Sequence, residues 1–435
     1  MLLEVRELRT HFSLRGSFLD RVWGREAASV KAVDGVSLAL RRGEVLGIVG
    51  ESGSGKTTLG RTLVGLLAAS SGSVLFEGRD ITHLGERALR PLRRRLQIVF
   101  QDPHASLNPA MTIAASVGHP LKIHGIASDE DEVRAGVAEA LERVGLAPAE
   151  QFMDKYPGDL SGGQKQRAVL ARAIILDPDV LIADEPVSML DMSVRAKILE
   201  LMSELKEQLD LTYLYITHDL ATAKYFCDRV AIMYLGRIVE IGPAHDIYES
   251  PKHPYTAALL RAIPEPDPRR SVPRDLPRGE VPDAVNPPLG CPFHPRCPRA
   301  FEVCGWESRD LRALLEERWT RLPEEQFEAE RAVLGELGSL DARATDDVRL
   351  DAAPGHGGDE VFEIVERLRQ DRPDDPFWRG VAEVRAEPEA LVIRFHEGIV
   401  PREVSAGRSQ VRCHLHDPEA LARARELGAA GAGSG

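Results

Sequence analysis

The chain of 435 residues contains no apolar run long enough to cross a bilayer, since a spanning helix needs about 20 consecutive apolar residues. Its first residues, MLLEVRELRTHFSLRG, alternate charged with apolar side chains and lack the apolar stretch of a secretory leader. Basic residues are outnumbered: 55 Lys and Arg stand against 68 Asp and Glu, a formal net charge of −13. That balance argues against the basic face of a nucleic-acid binder and against direct adhesion to anionic lipid. Aromatic residues make up only 5% and cysteines number five. The expected location is the cytoplasm, where cysteines are not normally paired as disulfides, and any membrane attachment must go through a partner. What remains is ordinary for a soluble globular protein: 43% hydrophobic, 28% charged and enough chain for two or three domains.

Two short apolar runs carry the chemistry. Val45 to Val49 reads as a buried parallel strand, and the residues after it are Gly50-Glu51-Ser52-Gly53-Ser54-Gly55-Lys56-Thr57-Thr58. This is a full G-x-x-x-x-G-K-[ST] match between a strand and a helix, the context the motif requires. The glycines let successive backbone N–H groups curl around an anion. The helix that follows adds its positive end. Lys56 is expected to neutralise β/γ-phosphate charge and Thr57 to ligate Mg²⁺. The second run, Val180 to Ala183, ends in adjacent carboxylates, Asp184 and Glu185. The first can hold Mg²⁺ through water, and the second can act as general base on the attacking water. A third strand, LTYLYITHDL at 211–220, ends in His218. Ligands collect at the carboxyl ends of parallel strands, which makes His218 a candidate γ-phosphate contact.

Between those strands stands LSGGQKQR, Leu160 to Arg167, which closely resembles the signature of the ABC-transporter ATPases. Its apolar stripe, Val169, Leu170, Ala173 and Ile174, also predicts an N-capped helix. Other family landmarks follow: Gln101 in VFQDP resembles the Q-loop, Asp191 in SMLD the D-loop, and Phe12 the aromatic that stacks on adenine, with Phe18 and Trp23 as competing positions. The resemblance implies an α/β P-loop NTPase fold, an ABC-type ATPase core with a helical subdomain at about 104–168 and an irregular α+β C-terminal extension. It implies two such domains, in a homo- or heterodimer, sandwiching ATP and Mg²⁺. The loop of one would then face Ser161, Gly162, Gly163, Gln164 and Asp191 of the other. Thr57, Gln101 and Asp184 would form the Mg²⁺ shell, and Glu185 and His218 the catalytic pair.

Three further stretches, QDPHASLNPAMT, EPVSMLDMSVRAKI and HPYTAALLRAIP, resemble the dipeptide/oligopeptide importer ATPases. That resemblance implies ATP-driven peptide import at the cytoplasmic face of the membrane. It brings two integral permease subunits and, indirectly, an extracytoplasmic binding protein. Nickel, oligosaccharide or antimicrobial-peptide cargo and a soluble non-transport ATPase stay open as alternatives. The expected divisions are a nucleotide-binding domain over 1–264, a Pro/Cys-rich segment over 265–310, an insert over 311–405 and an end segment over 406–435. In the insert, charged helix is expected over 310–337, flexible loop over 344–360, then a helix and a strand. The glycine-rich tail is expected to be disordered.

Cys291, Cys297 and Cys304 are spaced C-x5-C-x6-C, and Cys413 follows much later. Thiolates on a loop-rich segment suit an iron–sulfur cluster. Zinc is the alternative, with His294 or His414 as a ligand, although no C-x-x-C knuckle is present; a third reading is no metal at all. GCPFHPRCP resembles a C-terminal motif of the importer family, in some members a [4Fe–4S] site, and that resemblance makes the four cysteines candidate cluster ligands. Cys413 could join only if the insert loops out. Cys227 reads as a plain buried thiol. The arginines of LRPLRRRLQ read as a solvated or interdomain face.

Overall fold

The computed structural model describes residues 1–14, 29–262, 279–341 and 344–431. Phe18, Trp23 and the proline-rich stretch after 264 lie wholly or largely outside the described residues. The chain divides into two compact units, Met1–Ser250 and Pro251–Gly435. The stretches expected as 265–310, 311–405 and 406–435 therefore lie together in the second unit.

The first unit carries two sheets. Strands β1 (Leu3–Ser13), β2 (Ser29–Leu40), β4 (Ser71–Phe76) and β5 (Arg79–Asp80) form an antiparallel sheet in the order β2-β1-β4-β5. In the other sheet the first unit's strands run β10-β9-β3-β8-β7-β6: β3 is Val45–Val49, β6 Leu96–Val99, β7 Val180–Asp184, β8 Thr212–Thr217, β9 Arg229–Tyr234 and β10 Arg237–Pro243. Every residue of β3, β7 and β8 is buried, as expected of strands covered on both faces. The parallel register sets Val49 beside Thr217 and Asp184 beside Ile216. Gly50, Glu185 and His218, the residues that follow, therefore leave the sheet at one level. β6 runs parallel to β7 with Val99 beside Ala183, which brings Gln101 to the same edge.

Helix α1 (Lys56–Leu63) packs on this sheet through Leu59 and Leu63. A Cβ on Gly60 would stand 2.8 Å from Ile216 Cδ1, so the glycine sets how closely the helix approaches. α2 (Gly162–Ile174) buries the stripe Val169, Leu170, Ala173 and Ile174. α3 (Met192–Leu209) buries Ile198, Leu201, Met202 and Leu205, leaving Val194 half-buried. In the arginine-rich segment Arg90 and Arg94 are exposed, while Arg95 pairs with Glu77 and Asp179 within the first unit, and Arg42 joins both acids. Cys227 is buried.

The second unit has its own core. Helices α4 (Ser308–Trp319), α5 (Glu324–Leu334), α6 (Gly358–Asp371) and α7 (Phe377–Gly380) surround an antiparallel sheet of β11 (Val348–Asp351), β12 (Val381–Glu387) and β13 (Ala390–Phe395), in the order β11-β13-β12. β14 (Val404–Ala406) and β15 (Ser409–Val411) make a hairpin. α8 (Pro418–Gly431) closes the unit. Its core joins Phe301, Val303, Cys304 and Trp306 to Leu311, Leu315, Val361, Val365, Leu391 and Phe395. Three sequence expectations change here. The insert is no separate loop: its apolar faces pack onto the cysteine segment, and the chain still returns Cys413 to the other thiols. The stretch expected as flexible loop contains β11, and the glycine-rich tail is helical as far as Gly431.

Candidate active site

The phosphate loop follows β3 and ends at Gly55, the N-cap of α1, whose φ of 99° is open to glycine. A Cβ there would stand 1.9 Å from the Ala32 carbonyl oxygen, and one on Gly50 would stand 2.2 Å from that of Met233. Neither position can take a side chain. Lys56 is buried, and its Nζ donates to the carbonyl oxygens of Gly50 and Glu51, each at 2.8 Å. Burial pushes its ammonium pKa down, while Glu185, Asp184 and Glu51 hold it up. A desolvated lysine beside an inward-turned backbone loop is ready to exchange carbonyl partners for phosphate oxygens.

Thr57 Oγ1 donates to Asp184 Oδ1 at 3.0 Å. Burial raises the Asp184 pKa, the Thr57 hydrogen bond opposes it, and the neighbouring Glu185 raises it further. Hydroxyl and carboxylate together form the paired oxygen set a hard cation such as Mg²⁺ takes.

Glu185 sits in the left-handed region at φ 48°, a strain of roughly 1 kcal/mol or more for a non-glycine residue. Its N–H is held by the Ile216 carbonyl at 2.9 Å. This conformation turns its carboxylate toward two other strand ends. Gln101 Nε2 donates to Glu185 Oε2 at 3.0 Å, and His218 Nδ1 lies 3.0 Å from the same oxygen. Residues expected separately as Mg²⁺ ligand, base and phosphate contact thus meet at one atom.

The signature residues stand apart from that atom. Ser161 caps α2: its Oγ accepts from Gln164 N–H at 3.3 Å, and Gln164 Oε1 accepts from Ser161 N–H at 2.9 Å, a reciprocal capping box. Gly163 faces Val194, where a Cβ would come within 2.7 Å of Cγ1; Gly162 is less confined, with Leu190 Cδ2 at 3.7 Å. Asp191 caps α3 by accepting from Val194 N–H at 3.0 Å, which holds its carboxyl below the usual range. Phe12 is 41% exposed on β1, free to offer a ring face. Ser52 and Gly53 are exposed, Ser54 is buried with its carbonyl accepting from Gly236 N–H at 3.0 Å, and the Thr58 carbonyl accepts from Thr62 Oγ1 at 2.8 Å. Sequence reasoning missed Arg195, which pairs with Asp219 at 2.8 Å and so ties the first turn of α3 to the turn after His218. No local motif signals it.

In the second unit, all four motif cysteines are free thiols; Cys291, Cys304 and Cys413 are buried and Cys297 is half-buried. Burial raises the pKa of Cys291, and the charges of Cys304 and Cys413 raise it further, so the thiols share one region. Burial lifts Cys297 to about 11. Among the described residues, no three His, Cys, Asp or Glu side chains stand together closely enough to hold a metal ion. The donor chemistry suits a thiophilic metal; the spacing of the thiols does not form a ligand set.

The loop, the paired carboxylates and the capped signature helix define an ATP-binding cassette. Residues 33–188 match the ABC transporter family and residues 239–304 the C-terminal region of oligopeptide/dipeptide transporters. The oligopeptide transport ATP-binding protein AppF of Bacillus subtilis is 46% identical over 306 residues, 70% of this chain and 91% of that protein. A putative peptide import ATP-binding protein of Brucella ovis is 45% identical over 311 residues, 72% of this chain and 94% of that one. The solved dimeric cassette MJ0796, bound to ADP and Pi, is 27% identical, with a TM-score of 0.49 over 56% of this chain and 98% of that one. The chain belongs to the oligopeptide/dipeptide family of ABC transporter ATPases. Among its described residues, no helix is long and apolar enough to cross a membrane.

Proposed function

We propose that this chain binds MgATP and hydrolyses it to drive import of dipeptides or oligopeptides. The observation that carries the reading is the meeting of Gln101, Glu185 and His218 at one carboxylate oxygen, on the sheet edge that also bears the phosphate loop. Backbone N–H groups of Gly50 to Thr58 and Lys56 bind phosphate, and Phe12 stacks on adenine. Thr57 and Asp184, with Gln101, complete the Mg²⁺ shell. Glu185 takes the proton of the attacking water, and His218 steadies the γ-phosphate. In a dimer with a second such subunit, Ser161, Gly162, Gly163, Gln164 and Asp191 contact the nucleotide across the interface. The pair would sit at the cytoplasmic face of the membrane on two permease subunits, fed indirectly by an external binding protein. The test is ATP-dependent peptide uptake into vesicles carrying the permeases. Uptake by the wild type and none by Lys56→Ala is expected; equal uptake by both refutes the reading.

For the cysteines the proposal rests on donor chemistry and the Gly-Cys-x-Phe run: a [4Fe–4S] site ahead of zinc. No step of the ATPase passes through it. Iron and acid-labile sulfide in anaerobically purified protein, lost on Cys297→Ser, are the expected result. Absence of both in wild type refutes it.

A further inference from the structure

Three arginines of the second unit converge on one cavity of 520 Å³: Arg299, Arg379 and Arg425. They come from three separate segments. Arg299 lies in the loop between Cys297 and Cys304, Arg379 on α7 of the insert, and Arg425 on α8. Arginines nearby in sequence are paired: Arg423 with Glu426 at 3.2 Å, and Arg402 with Asp417 at 2.7 Å. Among the described residues, none of the three cavity arginines has a carboxylate within ion-pair distance.

One acid, Glu302, lines the same cavity. It faces α8, with its Oε1 3.6 Å from the position of a Cβ on Gly428. The lining charge is therefore three positive against one negative, in a chain whose net charge is −13. Composition alone would give the opposite sign. Guanidinium groups are planar forks suited to bidentate capture of phosphate or carboxylate. Phe301 and Leu421 line the cavity as well, and its volume falls within the range of small-molecule sites, about 300–1,000 Å³.

We propose that this cavity binds a small organic anion carrying two or more negative charges and an apolar part. The ligand charge would replace the missing carboxylates, and its apolar part would cover Phe301 and Leu421. It would bridge the insert, the cysteine loop and α8. Arg299 stands in the loop between Cys297 and Cys304, so the bound anion would brace the cysteine segment. This gives the insert a role the ATPase site does not need.

The test uses the full chain with its phosphate loop filled by a non-hydrolysable ATP analogue and Mg²⁺. Phenyl phosphate and phthalate are titrated calorimetrically; which of them binds tells phosphate from carboxylate ligands. One saturable site per chain is expected for at least one probe, with a raised thermal midpoint. Arg379→Ala and Arg425→Ala, both on exposed side chains, should each weaken binding about tenfold or more, with ATP hydrolysis unchanged. Saturable binding of neither probe, or wild-type binding by both variants, overturns the proposal.

Discussion

Replacing Glu185 by Gln removes the charge on which the site converges while keeping the side chain's length. Glu185 Oε2 accepts from Gln101 Nε2 and lies beside His218 Nδ1, both at 3.0 Å. The amide oxygen of Gln can still accept one of these bonds, so the fold and the phosphate loop should stand. What disappears is the general base, a contribution of about 10²- to 10⁴-fold, or about 3–5 kcal/mol of barrier. Phosphate release should therefore fall by at least about a hundredfold. ATP affinity should hold, because Lys56 and the loop do not touch Oε2. Steady-state phosphate release and a nucleotide-retention assay measure the two separately. A variant that turns over within about threefold of wild type, well short of the loss of a base, would refute the role. So would one that hydrolyses slowly only because it no longer binds ATP.

Two other perturbations follow from the geometry. Gly55→Ala should abolish nucleotide binding in a fluorescence titration, since its Cβ would stand 1.9 Å from the Ala32 carbonyl at a φ of 99°. His253 is buried, its pKa pushed down to about 3 by burial and by His416 and His414, and its Nδ1 accepts from Tyr255 N–H at 3.0 Å. It stays neutral when folded but protonates near 6.5 when unfolded. Its contribution is therefore complete above about pH 6.5 and is lost as pH falls toward about 3. His253→Asn, which can still accept from Tyr255, should flatten the fall in stability over that window in denaturant titrations; an unchanged slope would refute the assignment.

The sequence determined the parts of this protein whose chemistry is contiguous. Nine residues from Gly50 to Thr58 contain their own turn, their own helix start and their own donors, so strand, loop and helix are legible without any neighbour. The same holds for the Ser161–Gln164 capping box and for the all-apolar strands, which only a doubly covered sheet would bury. Tertiary structure decided what lies far apart in the chain. Gln101 and His218 reach Glu185 only because parallel register brings three strand ends to one level, and a left-handed Glu185 turns its side chain to meet them. The ion pair of Arg195 with Asp219 has no local signal at all. In the second unit the insert read as an appendage because its apolar residues have no motif. Their partners are Phe301, Val303 and Trp306, on a segment that precedes it in sequence. Burial against those side chains made the insert part of the core, and it carried Arg379 to the two arginines that the sequence had left more than 100 residues apart.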